Sequence, residues 1–284
     1  MDVLSNILYS LRVQGSVYFC SNVEPPWKKS YENRTSAAFH SIRSGTCWLE
    51  VNDKVEQLYA GDMVFVGPGI PHYLHSDHPY EAVPPNKEPT LLLCGDCDFD
   101  EETLSPLKDS LSEVTVVTDQ EVTKHPWLKS TFEQISSEYM AQNPGSEILV
   151  NKLSEVILVE LIRINFARQN KGSLVNALQD KRINKALQLL HDELHSPWTI
   201  DNLASQVGMS RAAFSKRFKD LVGETVFTYL SLIRVQKAKE LIKTTSLHMD
   251  DIAANVGYES ERAFIKTFSK YVGTTPKQYK KVNQ

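Results

Sequence analysis

Hydrophobic and polar positions divide the chain into a region of strands, an apolar helical region and a region of repeated short helices. Residues 47–51, 63–66 and 90–94 are short apolar stretches separated by Gly, Asp, Asn and Pro turns, which predicts strands over residues 37–98. Residues 126–170 change to a helical pattern, and residues 148–166 are apolar on more than one face. The sequence therefore predicts the α+β class, with an all-α C-terminal part.

The C-terminal part contains an internal repeat of about fifty residues. Residues 201–204 match residues 250–253 at an offset of forty-nine, and the later matches lie fifty residues apart, so the second unit has one extra residue in its turn. Chance does not readily produce so many matches in one order. The first unit contributes Ser210, Ala213, Phe214, Lys216, Phe218, Val222, Gly223, Thr225 and Tyr229, and the second Ser260, Ala263, Phe264, Lys266, Phe268, Val272, Gly273, Thr275 and Tyr279.

Each repeat unit predicts a helix-turn-helix. A short helix, a Gly-containing break and a second helix follow one another, and Ser210 or Ser260 can cap the second helix by accepting its first amide protons. Phenylalanines four residues apart place one face of that helix against the preceding helix. The opposite face is predicted to contact bases and phosphates in a major groove. It carries Arg211, Ala212, Ser215 and Lys216 in the first unit and Glu261, Arg262, Ile265 and Lys266 in the second.

A single long helix is predicted between the two units. Residues 226–243 carry apolar side chains at helical spacing, with Arg234, Lys237 and Lys239 elsewhere on the helix surface. Such a stiff connector would let two second helices enter successive segments of major groove, about 34 Å apart. The alternative is a helical bundle with a coincidental duplication, and the matched serines, phenylalanines and glycines argue against it.

Charge is divided unevenly between the two parts. The formal net charge is −4, but residues 180–284 hold 17 Lys and Arg against 11 Asp and Glu, whereas residues 1–179 hold 14 against 24. Phosphate contacts need local positive charge, so a basic module joined to an acidic domain fits DNA binding. An ordinary solvated surface would give the same imbalance. The charge distribution is therefore only supporting evidence for the DNA binding that the repeat predicts.

Length and composition narrow the class of protein. The 284 residues suffice for two domains, and 41% hydrophobic with 23% charged residues is ordinary for a globular protein. No apolar run reaches eighteen residues, and the first ten residues lack the features of a secretory signal. Four cysteines, all before residue 98, are too few for a secreted disulfide scaffold. We expect a cytoplasmic protein without membrane contact and with reduced thiols at rest.

Family motifs run through the C-terminal part. They occupy residues 203–211, residues 234–238 and residues 252–279, the last of which ends in the sequence TPKQY. Residues 180–284 thus resemble the DNA-binding domain of the AraC/XylS family of bacterial regulators, which implies that the faces named above meet the bases. Two departures are visible: His248 stands where Thr199 caps the first unit, and Ala212 and Ser215 are small for base readout. Sequence preference is therefore expected to depend on the second unit or on DNA shape.

The N-terminal part carries motifs of another kind. Residues 61–72 read GDMVFVGPGIPH, and His40 precedes Gly45. These stretches resemble the conserved motifs of cupin β-barrels, which implies a cupin-like sensor domain. Many cupins bind Fe, Mn or Zn through two histidines in a His-x-His pair, a Glu and a later His, and here at most His40, His72 and His75 remain. These three are candidate ligand-binding residues for an effector. We expect no metal or cofactor and no enzymatic activity, with a cupin metalloenzyme as the alternative.

Cysteines at the edges of the predicted barrel suggest oxidation as the signal that the domain senses. With Leu-Cys-Gly at residues 93–95, the N-terminal half resembles the cupin-bearing branch of AraC regulators. This branch includes members that sense reactive chlorine, and the resemblance implies Cys20 and Cys94 as a redox pair, in which one thiol captures a sulfenic acid formed on the other. Cys94 and Cys97 would point to opposite faces of a strand and make a poorer pair. Buried, inert cysteine is the alternative.

The apolar helical region has two surfaces to cover. One could pack on the barrel and the other on a second subunit, as in family members that dimerise through N-terminal helices, although burial in a monomer core is the alternative. We expect a cupin-like domain at 1–125, a helical dimerisation segment at 126–170, a linker at 171–179 and a double helix-turn-helix domain at 180–284. The expected protein is a homodimeric transcription regulator that binds double-stranded promoter DNA, with RNA polymerase as a further partner. An RNA-binding or chaperone-like protein would need exposed aromatic side chains instead.

Overall fold

A computed structural model of the chain describes residues 2–11, 14–32, 34–81, 87–98, 114–168 and 174–283. These residues form two compact units. The barrel unit comprises residues 14–98 and 114–168 within those ranges, and the helical unit comprises residues 2–11 and 174–283. No helix in the described ranges is both long enough and apolar enough to cross a bilayer.

The barrel unit is built from antiparallel strands. They are β1 (Gln14–Val23), β2 (Lys28–Tyr31), β3 (Ala37–Ser44), β4 (Thr46–Val51), β5 (Lys54–Tyr59), β6 (Met63–Val66), β7 (His72–His75), β8 (Thr90–Asp98) and β9 (Val114–Val117). One sheet has the order β1-β8-β3-β6-β9 and the other β2-β7-β4-β5. Alternate residues of both sheets point into one core, which holds Ile42 and Leu92 from the first sheet and Leu49 and Leu74 from the second. The predicted α+β class is confirmed.

Helices cover the outer side of the five-stranded sheet. They are α2 (Asp119–Val122), α3 (Pro126–Ala141) and α4 (Ser146–Arg168). A Cβ added at Gly15 of β1 would lie 2.7 Å from the Cβ of Ser154. Helix α4 therefore packs so close to this strand that only glycine fits at position 15. Helix α3 buries Phe132 against Phe39, with ring centroids 6.4 Å apart. This cover explains why β3 and β8 are buried on both faces.

The helical unit contains two successive helix-turn-helix motifs. Its helices are α1 (Val3–Leu11), α5 (Leu174–Gln179), α6 (Lys181–Asp192), α7 (Ile200–Gln206), α8 (Arg211–Val222), α9 (Val226–Thr244), α10 (Met249–Asn255), α11 (Glu261–Val272) and α12 (Pro276–Asn283). The first motif is α7 and α8, the second is α10 and α11, and α9 is the predicted long connector. Both predicted serine caps form: Ser210 Oγ accepts from the Ala213 amide, and Ser260 Oγ accepts from the Ala263 amide.

The boundary of the helical unit differs from the expected linker. Residues 171–173 lie outside the described residues, but residues 174–179 form α5, which packs against α6 and α8 and fully buries Ala177. Helix α1 also belongs to this unit, although we expected the N-terminus to join the barrel. Val3 and Ile7 are four residues apart and therefore share one face, and both are buried as α1 packs against α6.

Candidate nucleic-acid interface and sensor core

The first recognition helix, α8, is fixed by its aromatic face. Phe214 and Phe218 are fully buried with ring centroids 5.8 Å apart, and Phe218 also meets Tyr229 of α9 at 5.9 Å. The opposite face is exposed at Ala212 and Lys216 and partly exposed at Ser215. The helix therefore exposes to solvent the side chains that the sequence predicts to contact DNA.

Arginines of α8 are engaged by neighbouring helices. The Arg211 guanidinium donates to Asp201 Oδ2 of α7 at 3.1 Å. Arg217 Nε donates to Asp180 Oδ2 at 2.6 Å, while Asp180 also accepts from two amides at the start of α6. Burial opposes ionisation of Asp180, but the amide of Ile183 and the Arg217 guanidinium together lower the pKa of its carboxyl. Sequence reasoning missed the roles of Asp180 and Asp201.

The second recognition helix, α11, repeats this arrangement. Phe264 and Phe268 are fully buried with centroids 5.6 Å apart, and Phe268 meets Tyr279 of α12 at 5.6 Å. Arg262 and Lys266 are exposed one turn apart on the opposite face, and Glu261 lies beside them, partly exposed. Ile265 is half-buried against the core of the second motif, so only part of its side chain can meet DNA. Basic side chains thus dominate the exposed face of α11.

Two histidines meet inside the barrel. His72 Nδ1 donates to the Ile70 carbonyl at 2.9 Å, so His72 Nε2 is an acceptor, and His40 Nε2 donates to it at 2.8 Å. Burial lowers the pKa of both rings, and the neighbouring His72 lowers that of His40 further, so both are neutral near pH 7. The Tyr31 ring stacks on His72 with centroids 4.8 Å apart, and its hydroxyl donates to Cys94 Sγ at 3.6 Å.

His75 lies apart from this pair. It is three residues after His72 in β7 and therefore points to the other face of the sheet, where its Nε2 contacts Glu50 Oε2 at 2.8 Å. The three candidate ligand residues thus do not form one cluster. No described group of three His, Cys, Asp or Glu side chains is arranged to hold a metal ion. The histidines that face one another are fewer than those of a catalytic cupin, because only His40 and His72 converge while His75 contacts Glu50 on the other face of the sheet.

The four cysteines are buried thiols in distinct surroundings. Cys94 pairs with His40 in the sheet register and points into the barrel core, which also contains Cys47. Cys20 pairs with Leu93, the neighbour of Cys94, and therefore points to the opposite, helix-covered face. The thiols of the predicted redox pair thus lie on neighbouring strands but on opposite sides of one sheet. Cys97 shares the helix-covered face.

Burial controls the chemistry of these thiols. It raises the pKa of Cys94 to about 12, against the hydrogen bond from Tyr31. It also raises the pKa of Cys20, although the Ser136 hydroxyl and the Arg43 guanidinium oppose the shift. Both thiols are therefore protonated near neutral pH, which slows their reaction with oxidants as long as the fold stays closed.

A half-buried ion pair borders the same core. The Arg34 guanidinium contacts the Asp96 carboxylate and lies 4.3 Å from the centre of the Tyr18 ring. Burial raises the pKa of Asp96, and Arg34 acts in the opposite direction. Sequence reasoning missed this pair, because Arg34 and Asp96 are far apart in the chain and neither belongs to a recognised motif.

A barrel unit attached to two helix-turn-helix motifs defines a transcription regulator with a sensing domain. The cupin family model matches residues 2–167, and a helix-turn-helix domain model matches residues 203–281. The chain belongs to the AraC-type family of helix-turn-helix transcription regulators that carry an N-terminal cupin domain. It therefore binds DNA through its helical unit.

Curated relatives extend over the whole chain. An uncharacterised HTH-type transcriptional regulator of Haemophilus influenzae is 30% identical to this chain, and the matched region covers 99% of each protein. The HTH-type transcriptional regulator AlkR of Acinetobacter baylyi is 26% identical over 99% of both. The RCS-specific HTH-type transcriptional activator RclR of Escherichia coli is 25% identical over 99% of this chain and 97% of its own. The predicted likeness to this branch of the family is confirmed.

Proposed function

We propose that the protein binds promoter DNA by inserting α8 and α11 into two successive segments of major groove. The main observation for this proposal is that each helix packs against its neighbours through a buried phenylalanine pair, while its opposite face is exposed. The residues proposed to meet DNA are Arg211, Ala212, Ser215 and Lys216 on α8 and Glu261, Arg262, Ile265 and Lys266 on α11. Because promoter DNA is the target, we place the protein in the bacterial cytoplasm. Its relatives are transcriptional regulators, which supports a role without catalysis.

Binding to duplex DNA is expected to be strong, salt-dependent and selective over RNA. The probe is a DNA duplex selected by the full-length protein from a random library, compared with an RNA duplex of the same sequence. Each phosphate contact should add about −0.9 to the slope of log K against log salt, and the RNA should bind at least about tenfold more weakly, because side chains cannot read its deep, narrow major groove. Equal affinity for the two duplexes would contradict the proposal.

We further propose that oxidation of Cys20 and Cys94 changes DNA binding. Hypochlorous acid would convert one thiol to a sulfenic acid, releasing chloride and a proton, and the second thiol would displace water to form the disulfide. Neighbouring strands bring the two backbones near enough for a disulfide, but the side chains point apart. Forming the bond would therefore force β1 and β8 to rearrange locally, which gives oxidation a structural consequence. The relative described as RCS-specific supports this signal.

Oxidation with one equivalent of hypochlorous acid is expected to yield a peptide that links Cys20 to Cys94 and a change in affinity for the selected duplex. Cys20→Ser and Cys94→Ser should each abolish both effects. Cys47→Ser is the matched control, since Cys47 is buried in the same core as Cys94, and it should retain them. If DNA binding responds while both thiols stay free, the proposed pair is wrong.

A second candidate signal is a small-molecule effector in the barrel. Among the described residues, His40 Nδ1 and Trp27 Nε1 are buried without a hydrogen-bond partner at this core. Because His40 carries its proton on Nε2, His40 Nδ1 is an acceptor, and Trp27 Nε1 is a donor. Each atom is a candidate hydrogen-bond partner for a polar effector.

We also propose that the regulator is a homodimer. Helix α4 buries Ile157, Leu158 and Leu161, yet on its other side Ile148, Leu149 and Val156 are 69%, 51% and 47% exposed. Apolar side chains at i, i+1 and i+8 form one stripe along the helix, and a stripe of this kind is suited to a second copy of the same helix. Because one relative is described as an activator, we infer that the DNA-bound dimer contacts RNA polymerase.

A further inference from the structure

The connector helix α9 belongs to both helix-turn-helix motifs. Its first half packs with the first motif through Tyr229, which is buried and whose ring centroid lies 5.9 Å from that of Phe218 in α8. Its second half packs with the second motif through Val235, Ala238 and Ile242. Arg234 lies where α9 passes from one core to the other. We expected this helix to be a stiff connector, but long helices curve gently, so a shared helix of 19 residues does not by itself fix the two motifs at one angle.

The Arg234 side chain joins the loop that leads into the first motif to the turn of the second motif. Its Nε donates to the Leu194 carbonyl at 3.0 Å, and its Nη2 donates to the Ser196 carbonyl at 2.9 Å. Both carbonyls lie in the loop that leads into α7 of the first motif. The same guanidinium lies 5.6 Å from the centre of the Tyr258 ring, in the turn between α10 and α11 of the second motif. A planar fork of donors is suited to holding two carbonyls and one ring at once.

Glycine at position 257 keeps this junction tight. A Cβ there would lie 2.6 Å from Arg234 Nη2 and 2.8 Å from the Cα of His195. The corresponding glycine of the first motif, Gly208, has no described atom within 4 Å of an added Cβ. Both glycines have positive φ, 64° at Gly208 and 83° at Gly257, so the turn requires glycine in both motifs. Only Gly257 is also required by the approach of the other motif.

We propose that Arg234 is a positioning residue for DNA recognition, which ties the Leu194–Ser196 loop that leads into the first motif to the Gly257–Tyr258 turn of the second. The tie presets the spacing and angle of α8 and α11 before DNA is bound. This inference rests on the proposed reading of two groove segments. Preorganisation lowers the free energy needed to engage the second segment once the first is bound.

The test compares spacing dependence in the full-length wild type and in Arg234→Met, which keeps an unbranched, flexible stem but is shorter and has no donor. The probes are the selected duplex, the same duplex with one or two base pairs inserted between the two segments, and duplexes with one segment randomised. Each inserted base pair moves the second segment by about 3.4 Å and rotates it by about 35°. The wild type should therefore discriminate steeply between spacings.

Arg234→Met is expected to bind the selected duplex about tenfold more weakly, to bind single-segment duplexes within about twofold of the wild type, and to lose discrimination between spacings. Arg234→Lys can satisfy only part of the junction and should fall between the two. A loss of equal size on single-segment duplexes would show a general structural defect and overturn the proposal. An unchanged spacing profile would also overturn it. A wild type without spacing dependence would instead contradict the two-segment reading itself.

A glycine pair gives a second, independent readout. Gly257→Ala and Gly208→Ala introduce the same methyl group at the same turn of the two motifs, with similar backbone strain. Only Gly257→Ala should flatten the spacing profile, since only there does the methyl group displace Arg234 and the His195 backbone. Equal spacing profiles for the two alanine variants would argue against the junction. Thermal unfolding of each variant identifies any that fails to fold.

Discussion

Removing Arg262 and Lys266 together is expected to weaken binding to the selected duplex by about 100-fold. Both side chains are exposed on α11, one turn apart, opposite the buried Phe264 and Phe268. A good contact to a base contributes about 1–3 kcal/mol, and 1.4 kcal/mol is a factor of ten, so two lost contacts account for the loss. The measurement is fluorescence anisotropy of the labelled duplex with the Arg262→Ala/Lys266→Ala protein at fixed salt.

The matched variant is Ser215→Ala/Lys216→Ala in α8. It alters the corresponding face of the first motif, where Ala212 and Ser215 are short, and it is expected to lose no more than about tenfold. Lys270→Ala removes a charge from the exposed surface of α11 outside the predicted base-contacting set, and it should weaken all duplexes by a similar small factor without changing sequence preference. If both double variants lose affinity equally, the second motif does not dominate. If Arg262→Ala/Lys266→Ala weakens all duplexes alike, these residues contact phosphates and not bases.

The helix-turn-helix motifs were predictable because the interactions that build them are local. A serine three residues before the amide it caps, and phenylalanines one turn apart, define a helix start and its buried face within a few residues. The same pattern recurs fifty residues later, and this second occurrence independently supports the assignment of the first. The caps of Ser210 and Ser260 and the burial of the phenylalanine pairs agree with those predictions.

The sensor core was less predictable because strand register decides which side chains meet. Cys20 and Cys94 are assigned to opposite faces only once β1 is aligned with β8, and that alignment includes an irregularity between Val17 and Phe19 that no motif marks. His72 and His75 were grouped by residue type, yet their separation by three positions in one strand places them on opposite faces. The sequence identified the chemical groups and not their neighbours.

The junction at Arg234 was also hidden from the sequence. Its partners in the first motif are backbone carbonyls, 38 and 40 residues earlier in the chain, and every residue type supplies a carbonyl. The family motif includes Arg234, but the motif alone does not say what the side chain holds. Similarly, α1 carries a buried pair, Val3 and Ile7, that predicts a packed helix but not that α6 is its partner.

Glutamate on the exposed stripe of α4 is expected to convert the proposed dimer into a monomer. Burial of a leucine or valine side chain contributes about 1.5–3 kcal/mol, and a two-fold interface counts every substitution twice. Leu149→Glu/Val156→Glu would also place like charges opposite one another across the symmetry axis. Sedimentation equilibrium of the full-length protein should therefore show a dimer for the wild type and a monomer for this variant.

The consequence for DNA distinguishes a dimer interface from a merely exposed apolar surface. Joining two DNA-binding units raises the affinity for paired half-sites by about 10²–10⁴ over one unit, so the glutamate variant should lose that factor on a paired site and keep its affinity for a single half-site. Met140→Glu is the matched control, because Met140 is 62% exposed on α3 and lies outside the stripe. It should remain dimeric. A wild type that is monomeric at micromolar concentration, or a glutamate variant that stays dimeric, would refute the assignment of this face, whereas α8 and α11 would still be able to read a half-site.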